Sequence, residues 1–77
     1  MRYVFNYGLN VAVCTPDGNL TRLRFGAGAV VAVRNRAFNY DGNQRVMNLE
    51  LADGHVLVNV PVAALRCEGA MLEPARK

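Results

Sequence analysis

The stretch RVMNLELADGHVLVNVP, residues 45–61, determines the fold class of this chain. Its first half alternates apolar and polar residues, the period of a strand with one buried face, and the inward set is Met47, Leu49 and Leu51. Asp53-Gly54 then supplies a tight reversal. The second half repeats the alternation with an inward set of Val56, Val58 and Val60, until Pro61 ends the strand. The stretch therefore predicts a β-hairpin.

The residues before this hairpin have the same strand period. Odd positions from Tyr3 to Val13 are apolar or aromatic, which predicts one long half-buried strand with a bulge or bend at Gly8. Reversals are expected at residues 15–19 and 39–43, because both contain Asp-Gly. A further break is expected at Gly26-Ala27-Gly28.

Two strands flank that glycine break. Leu20–Phe25 places Thr21, Leu23 and Phe25 on one face and Arg22 and Arg24 on the other. Ala29–Val33 is apolar on both faces, which is typical of a central or doubly covered strand. One predicted strand is thus amphipathic and the other is not.

The predicted elements add up to an all-β domain. Val62–Leu65 is expected to form one helical turn, followed by a short closing strand within Cys67–Leu72. Closing the meander removes edges that would otherwise aggregate. We expect a small antiparallel barrel of five to six strands, SH3-like, with an OB-like barrel as the alternative. The domain would span residues 1–72 and a C-terminal tail residues 73–77.

Two short segments resemble parts of a known family. Phe25-Gly26-Ala27-Gly28 and Pro61-Val62-Ala63-Ala64-Leu65 are similar to segments of the plasmid-borne type II dihydrofolate reductases, which are SH3-like tetramers. The resemblance covers about nine residues and implies the barrel. That family has Val-Gln-Ile-Tyr before its second segment, lining the folate and nicotinamide pore, whereas this chain has Leu57-Val58-Asn59-Val60. The missing Gln and Tyr argue against reductase activity.

Length and composition exclude several classes of protein. The chain has 77 residues, of which 52% are hydrophobic and 19% charged, so disorder is not expected. A domain this small buries only about 60% of its unfolded surface, which leaves no room for a large multi-step enzyme. The sequence contains neither a signal-peptide pattern nor an 18-residue apolar run. We expect no membrane contact and a cytoplasmic protein, or a virion protein if the chain is phage-encoded.

No catalytic, metal or cofactor site is expected. The three aspartates all precede glycine in predicted reversals, and His55 follows one of them, so turn geometry accounts for these residues. Cys14 and Cys67 are 53 positions apart, which is no ligand spacing, and without an export signal we expect reduced thiols. Neither a cofactor nor a small-molecule substrate is expected.

The most promising functional segment runs from Arg34 to Arg45. It concentrates arginine, aromatic and amide side chains at one hairpin tip, the residue types that recognition surfaces use. Arg34 and Arg36 are expected to share a strand face, and Arg22 and Arg24 would extend a basic stripe if their strand lay beside it. The candidate binding residues are Arg34, Arg36, Phe38, Tyr40, Asn43, Arg45, Arg22 and Arg24.

These observations lead to two functional hypotheses. The apolar residues exceed what a barrel of this size seats inside, and exposed apolar patches usually mark protein contacts. We therefore expect a non-enzymatic protein–protein interaction module in a homo-oligomer or larger assembly, for example a phage virion accessory protein or a small inhibitor. The alternative is a nucleic-acid-binding barrel that contacts phosphates through its arginines, consistent with the net charge of +3.

Overall fold

The computed structural model describes residues 1–68, and these form one antiparallel sheet of seven strands. The predicted tail, residues 73–77, and the last four residues of the predicted domain lie outside this range. The strands are β1 (Arg2–Phe5), β2 (Leu9–Cys14), β3 (Leu20–Phe25), β4 (Val30–Asp41), β5 (Gln44–Leu51), β6 (Val56–Pro61) and β7 (Leu65–Cys67). A single 3₁₀ turn, Val62–Ala64, precedes β7. The all-β class and the helical turn before the last strand are confirmed.

The strand order across the sheet is β3-β2-β6-β5-β4-β1-β7. Within residues 1–68 no pairing joins β3 to β7, so the sheet is open and has two edge strands. The sheet nevertheless curls, because the ring of Phe25 at the end of β3 stacks on Phe5 of β1 with centroids 4.7 Å apart. Phe5 O also accepts a hydrogen bond from Gly28 N at 2.7 Å.

The sheet has seven strands where five or six were predicted, because the expected strand from Tyr3 to Val13 is divided. A bend at Asn6 and Tyr7 separates β1 from β2. Asn6 N donates to Ala64 O at 2.7 Å, which turns the chain toward the 3₁₀ segment. Gly8 follows the bend, and a Cβ there would lie 2.7 Å from Arg24 Nη2. As a result of the bend β1 pairs with β4 and β7, whereas β2 pairs with β3 and β6.

The predicted inward set of β6 is partly wrong. Val60 is fully buried as expected, but Leu57 is also fully buried while Val56 and Val58 are only partly buried. The pairing of β5 with β6 shifts register between Met47 and Leu49. Asn59 lies in the left-handed region with φ of 55°, and this irregularity moves the alternation by one residue.

The core lies between the two halves of the curled sheet. Its best-buried large side chains are Phe5, Met47, Leu49, Leu57, Val13, Val46 and Val60. Val31 and Val33 of β4 join it, but Val30 is 50% exposed. β4 does have a neighbour on each side near its start, as a central strand should, yet the expectation that both of its faces are covered is wrong in the single chain.

The predicted reversals are confirmed. Gly18, Gly28, Gly42 and Gly54 all have positive φ, a conformation that favours glycine. Most of the closing strand predicted within Cys67–Leu72 lies outside the described residues; within them the last strand is β7, Leu65–Cys67, which starts directly after the 3₁₀ turn. The molecule has principal extents of 42 × 29 × 22 Å, so it is elongated.

Candidate functional site

The β4–β5 hairpin is the longest feature of the sheet. β5 pairs with β4 up to the hairpin tip, from Val33 opposite Leu51 to Asp41 opposite Gln44. On its other side β4 pairs with β1 through residues 30–32, and two hydrogen bonds between Val33 and Met1 extend this contact by one residue. Within the described residues the distal half of β4, residues 34–41, therefore has no paired strand on that side and forms an additional open edge.

One phenyl ring on this hairpin has two guanidinium groups close to it. The Cζ atom of Arg45 is 4.4 Å from the centroid of the Phe38 ring, and that of Arg36 is 5.2 Å away. Both separations are in the range of cation–π attraction. Phe38 remains 46% exposed, so the two arginines hold the ring without burying it.

Buried Tyr3 anchors this stack to the core. Arg36 Nη1 donates a hydrogen bond to the Tyr3 hydroxyl oxygen, and Arg36 Cζ lies 5.8 Å from the Tyr3 ring centroid. Tyr3 itself is only 3% exposed, as its place in the alternating pattern predicted. The hydrogen bond between Tyr3 and Arg36 was not predicted from the sequence, although a buried tyrosine hydroxyl usually has a hydrogen-bond partner.

The same face continues to the hairpin tip. Tyr40 lies directly opposite Arg45 in the register and is 67% exposed. We call Arg36, Phe38, Tyr40 and Arg45 the hairpin face. Asn43 occupies the two-residue turn beyond it and is exposed. Five predicted residues, these four and Asn43, are thus brought together on one hairpin.

Arg34 does not belong to the hairpin face. The β4–β5 register shifts between Val33 and Asn35, which places one extra residue in β4 and reverses the alternation. Arg34 Nη2 instead lies 2.7 Å from Glu50 Oε2 in a solvent-exposed ion pair. The expectation that Arg34 and Arg36 share a face is wrong because of this β-bulge.

Arg22 and Arg24 are also separate from the hairpin face. Both lie on β3, and the strands β2, β6 and β5 separate β3 from β4. Their assignment to one face of β3 is confirmed, since they stand opposite Ala12 and Asn10 while Leu23 stands opposite Val11 of the core. The condition for a continuous basic stripe, that β3 lie beside β4, is therefore not met.

The carboxylates of Asp17 and Asp53 accept hydrogen bonds within their own turns. The Thr15 hydroxyl donates to the Asp17 carboxylate and lowers the pKa of Asp17 below its ordinary value. His55 N donates to Asp53 Oδ1 at 3.0 Å, and this backbone bond is the main cause of the lowered pKa of Asp53. These carboxylates are held ionised at exposed turns.

Other chemical groups are dispersed over the sheet. Cys14 and Cys67 are free thiols on β2 and β7. Residues 1–68 contain no cluster of three histidine, cysteine or acidic side chains placed to hold a metal ion. In the same range no helix is long and apolar enough to span a membrane.

Comparisons with protein family models, curated proteins and solved structures find no significant match to the chain.

Proposed function

We propose that the chain is a non-enzymatic protein–protein interaction module that acts in a homo-oligomer or larger assembly through the hairpin face. The observation that carries this proposal is the Phe38 ring, which is 46% exposed although two guanidinium groups lie within cation–π distance of it. Arginine and aromatic residues are enriched where interfaces concentrate their binding energy.

The physical chemistry of the hairpin face favours association. Aromatic side chains offer a large contact area and lose little conformational entropy on binding. Phe38 is already restrained by Arg36 and Arg45, and Tyr40 extends the aromatic surface to the tip. Covering these rings would remove apolar surface from water, at about 25 cal/mol for each Å². The two arginines also offer donors to carboxylates or carbonyl groups of a partner.

We also propose that the curled sheet is an SH3-like barrel. Three features support this assignment. The strands β7, β1, β4, β5 and β6 are neighbours in that order. The β2–β3 hairpin lies between β1 and β4 in the sequence, and a 3₁₀ turn directly precedes β7. The Phe5–Phe25 stack brings the two ends of the sheet together. The turn before β7 is the feature that favours this barrel over the OB-like alternative.

Light scattering tests the proposed function. We expect the purified protein to have a mass that is a multiple of 8.4 kDa, and Tyr40→Ala to lower this mass toward the monomer. Tyr7→Ala is the matched control, since Tyr7 is a 48% exposed aromatic residue outside the hairpin, and it should leave the mass unchanged. A monomer at every concentration that also retains no protein partner in a pull-down would overturn the proposal.

Nucleic-acid binding is the second candidate function. The Arg36–Phe38–Arg45 stack favours it, because single-stranded nucleic acids bind proteins by stacking on aromatic rings beside basic groups. A fluorescent 20-nucleotide oligothymidine is a suitable probe. Affinity should fall with salt by about 0.7 logarithmic units per unit of log salt for each phosphate contacted. Binding that is absent at low salt, or that ignores salt, contradicts this candidate.

A further inference from the structure

Within residues 1–68 the outer edge of β3 has no neighbouring strand. In this range β3 pairs with β2 alone, and the turn between them closes with a hydrogen bond from Thr15 N to Asn19 O at 2.7 Å. Antiparallel ladders alternate between hydrogen-bonded and non-hydrogen-bonded pairs. Because Thr15 and Asn19 form a hydrogen-bonded pair at the turn, every second residue of β3 after Asn19 is also hydrogen-bonded to β2. The N–H and C=O groups of the residues between them, Leu20, Arg22 and Arg24, therefore point away from β2. This edge is therefore open to an additional strand.

An apolar groove follows this edge on the core side of the sheet. The groove has a volume of about 260 Å³. Its apolar lining consists of Val13, Leu23, Phe25, Leu51 and Leu57, with Asp53 and His55 at the rim. Leu23 is 45% exposed on the core side of the edge strand. A strand added beside β3 would place alternate side chains over this groove.

The opposite side of the same edge is basic. Arg22 and Arg24 are exposed, and within residues 1–68 neither one forms an ion pair. Asp41 lines a depression together with Arg22, but the two side chains are not in ion-pair contact. A strand added here therefore meets two uncompensated positive charges on one side and an apolar groove on the other.

We propose that the β3 edge binds an extended acidic segment of a partner protein as an added antiparallel strand. Alternate residues of that segment are apolar and cover the groove, and the residues between them are Asp or Glu and contact Arg22 and Arg24. A second copy of β3 fits poorly. Antiparallel pairing over residues 20–24 sets Arg22 opposite Arg22, and over residues 21–25 it sets Arg22 opposite Arg24, where like charges repel.

This surface shares no residue with the hairpin face. The proposed function and the binding of an acidic strand can therefore fail independently. The β3 edge is also charged, a common way in which natural sheets prevent edges of the same protein from associating. The same charges make the edge selective for a partner strand of opposite charge.

Fluorescence anisotropy with short labelled peptides tests the proposal. The probe is SVEVEVS, in which the glutamates stand opposite Arg22 and Arg24 and the valines cover the groove. SVKVKVS is the charge control. We expect SVEVEVS to bind the wild-type protein at least about tenfold more tightly than SVKVKVS, because each reversed pair turns attraction into repulsion. Equal affinity for the two peptides, or no binding of either, overturns the proposal.

Backbone recognition is tested by N-methylation of the same peptide. In an added antiparallel strand the glutamate N–H groups point toward β3, whereas the valine N–H groups point to solvent. Methylating both glutamate nitrogens should therefore weaken binding about tenfold or more, since two hydrogen bonds are lost. The matched control is methylation of two of the three valine nitrogens, those of the second and fourth peptide residues, and it should cost much less. Equal losses contradict strand addition.

Charge reversal in the protein completes the test. Arg22→Glu combined with Arg24→Glu should reverse the preference, so that SVKVKVS binds more tightly than SVEVEVS. Arg66→Glu is the control, since Arg66 is an exposed arginine on β7 outside both proposed surfaces, and it should leave the preference unchanged. Amide shift mapping of the wild-type protein needs no variant, and the largest shifts should fall on residues 20–25. Shifts confined to the hairpin face, or an oligomer mass that falls to the monomer in the double variant, overturn the assignment of the occupant.

Discussion

Substituting Leu57 or Val58 tests the register of β6, which places Leu57 in the lining of the groove beside β3. Strict alternation predicts that Val58 faces the core. In the structure Leu57 is fully buried, opposite Leu49 of β5 and Val13 of β2. Val58 stands opposite Ala12 and lines the depression on the outer side of the sheet. Leu57→Ala should therefore destabilise the protein far more than Val58→Ala.

The two magnitudes follow from burial. A leucine-to-alanine change at a fully buried site costs about 2.7–5 kcal/mol, because it removes apolar contacts and leaves a cavity. Val58→Ala removes two methyl groups from a partly exposed side chain, and at about 0.8 kcal/mol for each fully buried group its cost is about 0.8 kcal/mol. For 77 residues the total stability is about 4–12 kcal/mol. Leu57→Ala thus removes a large part of it.

Urea unfolding followed by far-UV circular dichroism measures both changes. Thermal unfolding provides a second measurement, with a Tm decrease of at least about 10 °C for Leu57→Ala and about 3–6 °C for Val58→Ala. An unchanged dependence of unfolding free energy on urea indicates that both variants unfold from the same compact state. If Val58→Ala costs as much as Leu57→Ala or more, Val58 lies in the core and the register shift at Asn59 is refuted.

Three further substitutions test local features of the structure. Thr15→Val should raise the pKa of Asp17 toward its ordinary value of 3.8, because it removes the main hydrogen bond that lowers it; an NMR titration of the carboxyl group measures this. The lowered pKa of Asp17 stabilises the fold above about pH 3.8, and this contribution is lost as pH falls through the folded pKa. The Thr15→Val variant should therefore lose less stability on acidification than the wild-type protein. Arg34→Ala should cost less than about 1 kcal/mol in urea unfolding, because its ion pair with Glu50 is exposed; a larger loss would show that Arg34 also holds the bulge. Asn59→Val should cost about 1–2 kcal/mol in the same assay, since a β-branched residue tolerates positive φ poorly, whereas Asn59→Gly should be close to neutral; equal losses would contradict the left-handed backbone at this position.

Local sequence signals predicted the regular parts of the fold. Asp17-Gly18, Asp41-Gly42 and Asp53-Gly54 each mark a reversal, and all three glycines have the positive φ that their turns require. Alternation identified the core positions Tyr3 and Phe5, as well as Leu49. Such signals are reliable because a turn or an alternating face depends on residues that are close in sequence.

Irregular pairing was not predictable from the same signals. The β-bulge near Arg34 and the left-handed Asn59 each shift the alternation by one residue. Both depend on how a strand fits its partners across the curled sheet. The position of β3 relative to β4 is likewise set by strand order. The local pattern of Arg22 and Arg24 could therefore not predict whether these two arginines lie beside the hairpin face. The hairpin face, by contrast, was identified because its residues lie close together in sequence.

The strand lengths explain why the hairpin face remains exposed. β4 has twelve residues whereas β1 has four, and β1 pairs only with residues 30–32 of β4, so the distal half of β4 extends past it. Arg36 and Arg45 flank Phe38 in this uncovered region, which keeps the ring partly shielded from water in the free chain. A partner strand or surface would complete what β1 leaves open. The β3 edge presents a second, charged surface three strands away, so the proposed association through the hairpin face and the proposed binding of an acidic strand would use separate parts of the sheet.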